Sequence, residues 1–186
     1  TGGKVTYLQR ISGTFAGYQQ LKDFPFDHQV ISLRLYPLDW TAEKLVFLND
    51  PDFTGLATEL NISDWQIQGV NADIIRYNFE STGKVHSGYL LEVSAKRHVS
   101  YYIWKILIPI TLIVVMSWCV FWINPNDFGT QLGFSASSVL TMIAFIFATT
   151  NLLPKLGYFT MLDRFVGLAT IFVFVALLQS LITGHL

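Results

Sequence analysis

The sequence has 186 residues, with 12 Lys or Arg against 13 Asp or Glu, a formal net charge of −1 and a hydrophobic fraction of 52%. A balance this close to neutral offers no basic stripe for neutralising phosphates, which argues against a nucleic-acid partner. The one cysteine, Cys119, excludes a disulfide within the chain.

The charges are unevenly placed: from Ile106 onward only Asp127, Lys155, Asp163 and Arg164 are charged. Residues 1–99 therefore read as a β domain and 100–186 as a membrane domain. The chain opens on TGGKVTYLQR, which has the look of a strand already under way, so earlier strands are expected to lie before Thr1. Further strands are expected at QVISLRLY, EKLVFL, WQIQGVNADIIRYNF and SGYLLEVSA, each rich in β-branched and aromatic residues and bounded by Gly, Pro, Asn and Asp. The pattern is that of part of an antiparallel β-sandwich.

Three apolar helices follow, at about 101–123, 130–150 and 161–184, each close to the ~20 residues that cross a bilayer. Tyr101, Tyr102, Trp104 and Lys105 suit an aromatic belt and a snorkelling lysine at the entry of the first helix. Pro109 falls inside that helix, where it removes a backbone donor. In the second helix Gly133, Ser137, Leu140, Ala144 and Phe147 recur at helical spacing, small or hydroxylated at one end and apolar at the other. Such a stripe suits a pore wall, where small polar residues hold water and Leu or Phe closes by dewetting. It also suits close packing of helices through small residues.

Phe24-Pro25-Phe26-Asp27 followed by Gln29, within GYQQLKDFPFDHQVI, resembles the signature loop of the pentameric ligand-gated ion channels, the Cys-loop receptor superfamily. Three further matches follow in order: Arg97 with Tyr101 and Tyr102, then Pro109, then Asn151-Leu152-Leu153-Pro154-Lys155. Gly17 and Ile31 stand where animal members carry the two loop cysteines, a lack that resembles the prokaryotic branch.

The resemblance implies a subunit of a homopentamer in the cell membrane, with the β domain outside the cytoplasm and a fourth helix beyond Leu186. Its partners would be identical subunits, the lipid bilayer, a small-molecule or ion agonist and permeating monovalent cations. No cofactor and no resident metal are implied. Gly133, Ser137, Leu140, Ala144 and Phe147 would line the pore, with Leu140 as the middle gate. Phe24, Pro25, Phe26, Asp27, Arg97, Pro154, Lys155 and Leu156 would couple the two domains. Pro25 stiffens the loop, Asp27 calls for a cationic partner that Arg97 can supply, and Phe24 or Phe26 is expected to touch Pro154 or Leu156.

Selectivity falls to Asp127 and Thr130. No basic residue occurs over 124–131, and a ring of Asp127 carboxylates would concentrate cations, so the channel is expected to be cation-selective. Candidate agonist-binding aromatics are Tyr36, Trp40, Tyr77, Phe79 and Tyr89, which read equally as sandwich core. Asp50, Asp52, Glu59 and Asp64 read as a solvated loop or a divalent-cation cluster. Basic residues near the spans, Lys96, Arg97, Lys105, Lys155 and Arg164, lie on the β-domain side; counted alone, they would place that side in the cytoplasm.

Catalysis is not expected: His28, His86, His98 and His185 are scattered, and none has metal-motif spacing. The alternative from another class is a non-conducting membrane sensor with an extracytoplasmic β-sandwich domain, which would need no polar stripe.

Overall fold

The computed structural model describes residues 3–183 apart from 15, 16, 18, 57–61, 63, 81, 82, 125 and 151–155. Three strands form one antiparallel sheet: β1 (His28–Leu35), β2 (Trp65–Phe79) and β3 (Lys84–Arg97), in the order β1-β3-β2. β3 is the shared centre, pairing with β1 from His28↔Lys96 to Leu35↔Tyr89 and with β2 from Trp65↔Arg97 to Phe79↔Lys84. The turn between β2 and β3 closes on Gly83, whose φ of 63° is a left-handed conformation that costs glycine little.

Two expected strands do not form. Residues 3–14 carry no secondary structure and lie exposed. The alternating pattern there is real, but a strand exists only through a hydrogen-bonded neighbour, and among the described residues β1 pairs with β3 alone. The 43–48 segment forms no strand. It starts in a turn, with Lys44 and Leu45 N–H groups donating to the Thr41 carbonyl, and Phe47 N–H donates to Ser87 Oγ at 3.1 Å. The described residues thus supply one sheet, not the two packed layers of a sandwich.

Three helices long and apolar enough to cross a membrane follow: α1 (Ser100–Trp122), α2 (Phe128–Thr149) and α3 (Met161–Thr183). The antiparallel sheet and the three-helix bundle agree with the expected fold class, and the helix ends lie within about two residues of the expected ones, the usual uncertainty of a helix boundary. α1 is not uniform. Pro109 offers no N–H to the Lys105 carbonyl one turn back, and over Ile103–Leu107 the helix widens to π geometry, with Ile108 N–H reaching Ile103 O.

α2 and α3 both begin with side-chain caps. Asp127 accepts the Thr130 N–H at 3.3 Å. Asp163 accepts from Thr160 N–H at 2.8 Å and Oγ1 at 2.7 Å, while its own N–H donates back to Thr160 Oγ1, a reciprocal capping box.

The helices pack through Ile106, Ile110, Ile113, Met142, Leu162, Ala169 and Val173. Toward the far end the contact passes to small residues: Ser117, Ser135, Ser138, Ala176 and Ser180 are all buried. Ser135 and Ser180 share a hydrogen bond of 2.7 Å between α2 and α3. Small side chains let the backbones approach, and the other hydroxyls donate to carbonyls of their own helices, Ser117 to Val114 and Ser138 to Phe134.

Candidate functional site

The junction of sheet and bundle is built by residues 20–27, which lead into β1, and by the end of β3. Leu21 and Phe24 leave the sheet and enter the same apolar cluster as Ile106, Ile110 and Leu162. Phe24 is buried edge-on against Tyr102, with ring centroids 4.9 Å apart. The Phe24–Pro25 peptide bond is cis, and Pro25 is fully buried. Phe26, on the other side of the proline, stays 42% exposed.

Asp27 is buried, 2% exposed, and paired with Arg97 as the sequence leads one to expect: Arg97 Nε donates to Oδ1 at 2.7 Å and Nη2 to Oδ2 at 3.1 Å. Gln29 Nε2 adds a third donor to Oδ2 at 2.8 Å. Burial pushes the Asp27 carboxyl up, but the hydrogen bonds from Arg97 and Gln29 and the guanidinium charge outweigh it and hold the group below its usual range. Burial likewise pushes the Arg97 guanidinium down, and Asp27 more than offsets it.

Among the described residues the loop's hydrogen bonds to the membrane domain fall at Tyr158, Met161 and Leu162. Pro154 and Lys155 lie outside the described residues. Leu156 is exposed, and the loop's hydrogen bonds pass it by: Leu21 N–H donates to Tyr158 Oη at 3.0 Å, Met161 N–H to Lys22 O at 2.8 Å and Leu162 N–H to Phe24 O at 3.2 Å. The reason is that a helix leaves its first N–H groups without partners, and the loop's carbonyls are the acceptors that fill the gap. The Thr160-Met161-Leu162-Asp163 capping pattern was visible in the sequence and marks this helix start. Gln29 stood in the signature loop without a role, and Tyr158 was not singled out in the sequence.

On α2 the five stripe residues Gly133, Ser137, Leu140, Ala144 and Phe147 all lie exposed, Leu140 at 69% and Phe147 at 74%. The face that packs on α1 and α3 is a different one, marked by Gln131, Ser135, Ser138, Met142 and Thr149. Thus the small residues of α2 that pack on the neighbouring helices of this chain are Ser135 and Ser138, not Gly133 and Ser137. Asp127 and Thr130 sit exposed at the end of α2 away from the sheet, joined by the capping bond.

The five candidate agonist aromatics do not converge. Tyr36, Tyr77 and Phe79 form one cluster, with centroids 4.8 to 5.9 Å apart, over His86 and Gly88. Gly88 is required there, since a Cβ would lie 2.5 Å from the Tyr36 ring. Tyr89 is on the opposite sheet face against Phe47, with its hydroxyl 3.2 Å from Thr54 Oγ1. Trp40 is half exposed under Lys44 Nζ. A cleft of about 740 Å³ beside the hairpin is lined instead by Asp39, Thr41, Glu43, Lys44, Arg76 and Lys84. Glu59 lies outside the described residues, and among those described no three His, Cys, Asp or Glu come together as a metal site.

Residues 106–184 match the family model of the neurotransmitter-gated ion-channel transmembrane region. The chain aligns over 184 residues at 29% identity with a glutamate-gated chloride channel of Drosophila melanogaster, covering 98% of this chain and 40% of the relative. A gamma-aminobutyric acid receptor subunit beta of Lymnaea stagnalis is 27% identical over 179 residues, 95% of this chain and 36% of the relative. A gamma-aminobutyric acid receptor subunit rho-2 of Homo sapiens is 26% identical over 186 residues, 99% and 40%. The membrane half of the chain thus matches the transmembrane region of neurotransmitter-gated ion channels, and the chain is similar along nearly its whole length to subunits of ligand-gated channels. It is a multi-pass membrane protein, and it spans about two fifths of the length of these relatives. All three are animal proteins and give no support to the prokaryotic branch expected from Gly17 and Ile31.

Proposed function

We propose that this chain is the junction and pore-forming part of a ligand-gated ion-channel subunit that assembles as a homopentamer. Residues 1–99 belong to its agonist-binding domain and 100–186 to its pore domain. The observation that carries the reading is the exposed stripe of α2: a face with Leu140 and Phe147 open to the surroundings, on a helix whose opposite face is packed, calls for cover. Five copies around an axis give that cover and enclose a path that is polar at Gly133 and Ser137 and narrow at Leu140. Agonist binding acts on this gate through Phe24, Pro25, Phe26, Asp27 and Arg97, and onward through Pro154, Lys155, Leu156 and the start of α3. Tyr36, Tyr77 and Phe79 border the agonist site, with Trp40 and Tyr89 at its margins. The charged lining of the neighbouring cleft, with both signs present, suits a small zwitterion.

Selectivity for monovalent cations is supported by Asp127 as the sole charge over 124–131. A second reading, anion selectivity, is favoured by the relative whose name records chloride. Current through a planar bilayer holding the complete parent protein, under a salt gradient and with and without Leu140→Ser, tests both. The reversal potential decides the sign of the permeant ion. Silence of both forms, with folded and inserted protein, would replace the channel by the non-conducting sensor.

A further inference from the structure

At the membrane end of the sheet, one guanidinium is held by a residue from each strand region. β3 is the central strand and Arg97 its last residue. Asp27, just before β1, takes the edge of the guanidinium in a two-point contact. Trp65, the first residue of β2 and the register partner of Arg97, places its ring centroid 4.1 Å from Cζ, while the Phe24 ring stands at 5.0 Å. A forked contact with a carboxylate fixes the direction of a guanidinium but leaves it free to turn about the line joining the two groups. A ring that covers Cζ at 4.1 Å limits that freedom, and the negative face of an indole attracts the cation.

The register shows how Trp65 comes to be there. β2 pairs Gly69 with Ser94 and Ile67 with Ala95, so Gln68 is an extra residue, a β-bulge. Without it the pairing would run on to set Gln66, not Trp65, opposite Arg97. A one-residue shift exchanges the faces of everything beyond it, and the aromatic is brought onto the cation by that shift. β2 then continues to Tyr77 and Phe79 in the aromatic cluster with Tyr36.

We propose that Trp65 is a positioning residue of the junction: it holds the Arg97 fork in the plane that Asp27 requires, so the strength of the Asp27–Arg97 pair follows the placement of β2 against β3. Its role in gating rests on the channel reading above; its hold on Arg97 does not. A shift of β2 that starts at the hairpin reaches the pair through the ring, in parallel with the route through residues 20–27.

The test introduces mono- to tetrafluorinated tryptophan at position 65 of the complete parent protein, which keeps the shape of the ring while draining its negative face. The thermal midpoint of the assembled protein is expected to fall step by step with fluorination, and the same series at Trp122, which is 82% exposed, is expected to be flat. Spontaneous currents in the Leu140→Ser background are expected to change in open-to-closed ratio by about threefold to tenfold across the series. A flat series of midpoints at position 65 overturns the proposal. Graded midpoints with currents that do not move overturn the gating role of Trp65. Graded midpoints in a protein that carries no current under any condition uphold the positioning role and count against the channel reading instead.

Discussion

Leu162 donates its backbone N–H to the carbonyl oxygen of Phe24 across 3.2 Å, and Met161 does the same to Lys22 across 2.8 Å. A loop of the sheet domain therefore serves as part of the N-terminal cap of a membrane helix. The two elements cannot separate without leaving helix donors unpaired at a membrane boundary, which ties movement of residues 20–27 to the start of α3.

Replacing the Leu162 amide by an ester, through the matching α-hydroxy acid, removes that donor and nothing else of the side chain. We expect a loss of about 1 kcal/mol in stability, read as a lower thermal midpoint of the parent protein, and an altered response to agonist. An unchanged midpoint would show that the loop carbonyls do not cap the helix.

Asp27→Asn leaves the Arg97 charge buried with a neutral partner, and breaking a buried pair in this way costs about 3–5 kcal/mol. Arg97→Gln is expected to cost a similar amount, and the double variant less than the sum of the two, because neither then strands a charge. Additive losses measured by denaturation would mean that the two side chains act independently.

The same pair gives a signed pH dependence. The folded-state value of Asp27 is depressed, so its contribution is complete above the ordinary aspartate value of about 3.9 and is lost as the pH falls through the lower folded value. Acid unfolding followed by tryptophan fluorescence should show this loss below about pH 4 in the unaltered protein, and the Asp27→Asn form should lack it.

Leu140 is largely exposed within the subunit, so Leu140→Ser is expected to change subunit folding stability by no more than about 0.5 kcal/mol. It should nevertheless raise the current if Leu140 lines the proposed pore, since a hydroxyl there opposes dewetting. Strong destabilisation without a gain in current would assign Leu140 to packing.

Asp127 caps α2 and is the sole charge over 124–131. Asn is nearly as good a cap as Asp, so Asp127→Asn removes the charge and keeps the cap. The reversal potential under a salt gradient should move toward zero with folding unaffected, whereas Asp127→Ala should also cost about 1 kcal/mol of stability. A reversal potential that stays put in the Asn form would take Asp127 out of selectivity.

Much of this protein was legible in its sequence because the relevant signals are local. Long charge-free runs set the three helices, since length and hydropathy alone decide what can cross a bilayer. The spacing of Gly133, Ser137, Leu140, Ala144 and Phe147 put them on one helix face, and Pro25 and Asp27 marked the loop that meets the membrane. The pairing of Asp27 with Arg97 was implied by the family resemblance, whereas the residues alone read as readily as an exposed turn aspartate and a lipid-facing arginine. Strand pairing was another matter. Residues 4–15 and 43–48 have the composition of strands, yet a strand is completed only by a neighbour elsewhere in the chain, and tertiary structure alone decides which neighbour is present. The same holds for Trp65, carried onto Arg97 by one extra residue in β2, and for the backbone of Phe24, whose carbonyl caps a helix 138 residues further on, a bond that no side-chain pattern encodes.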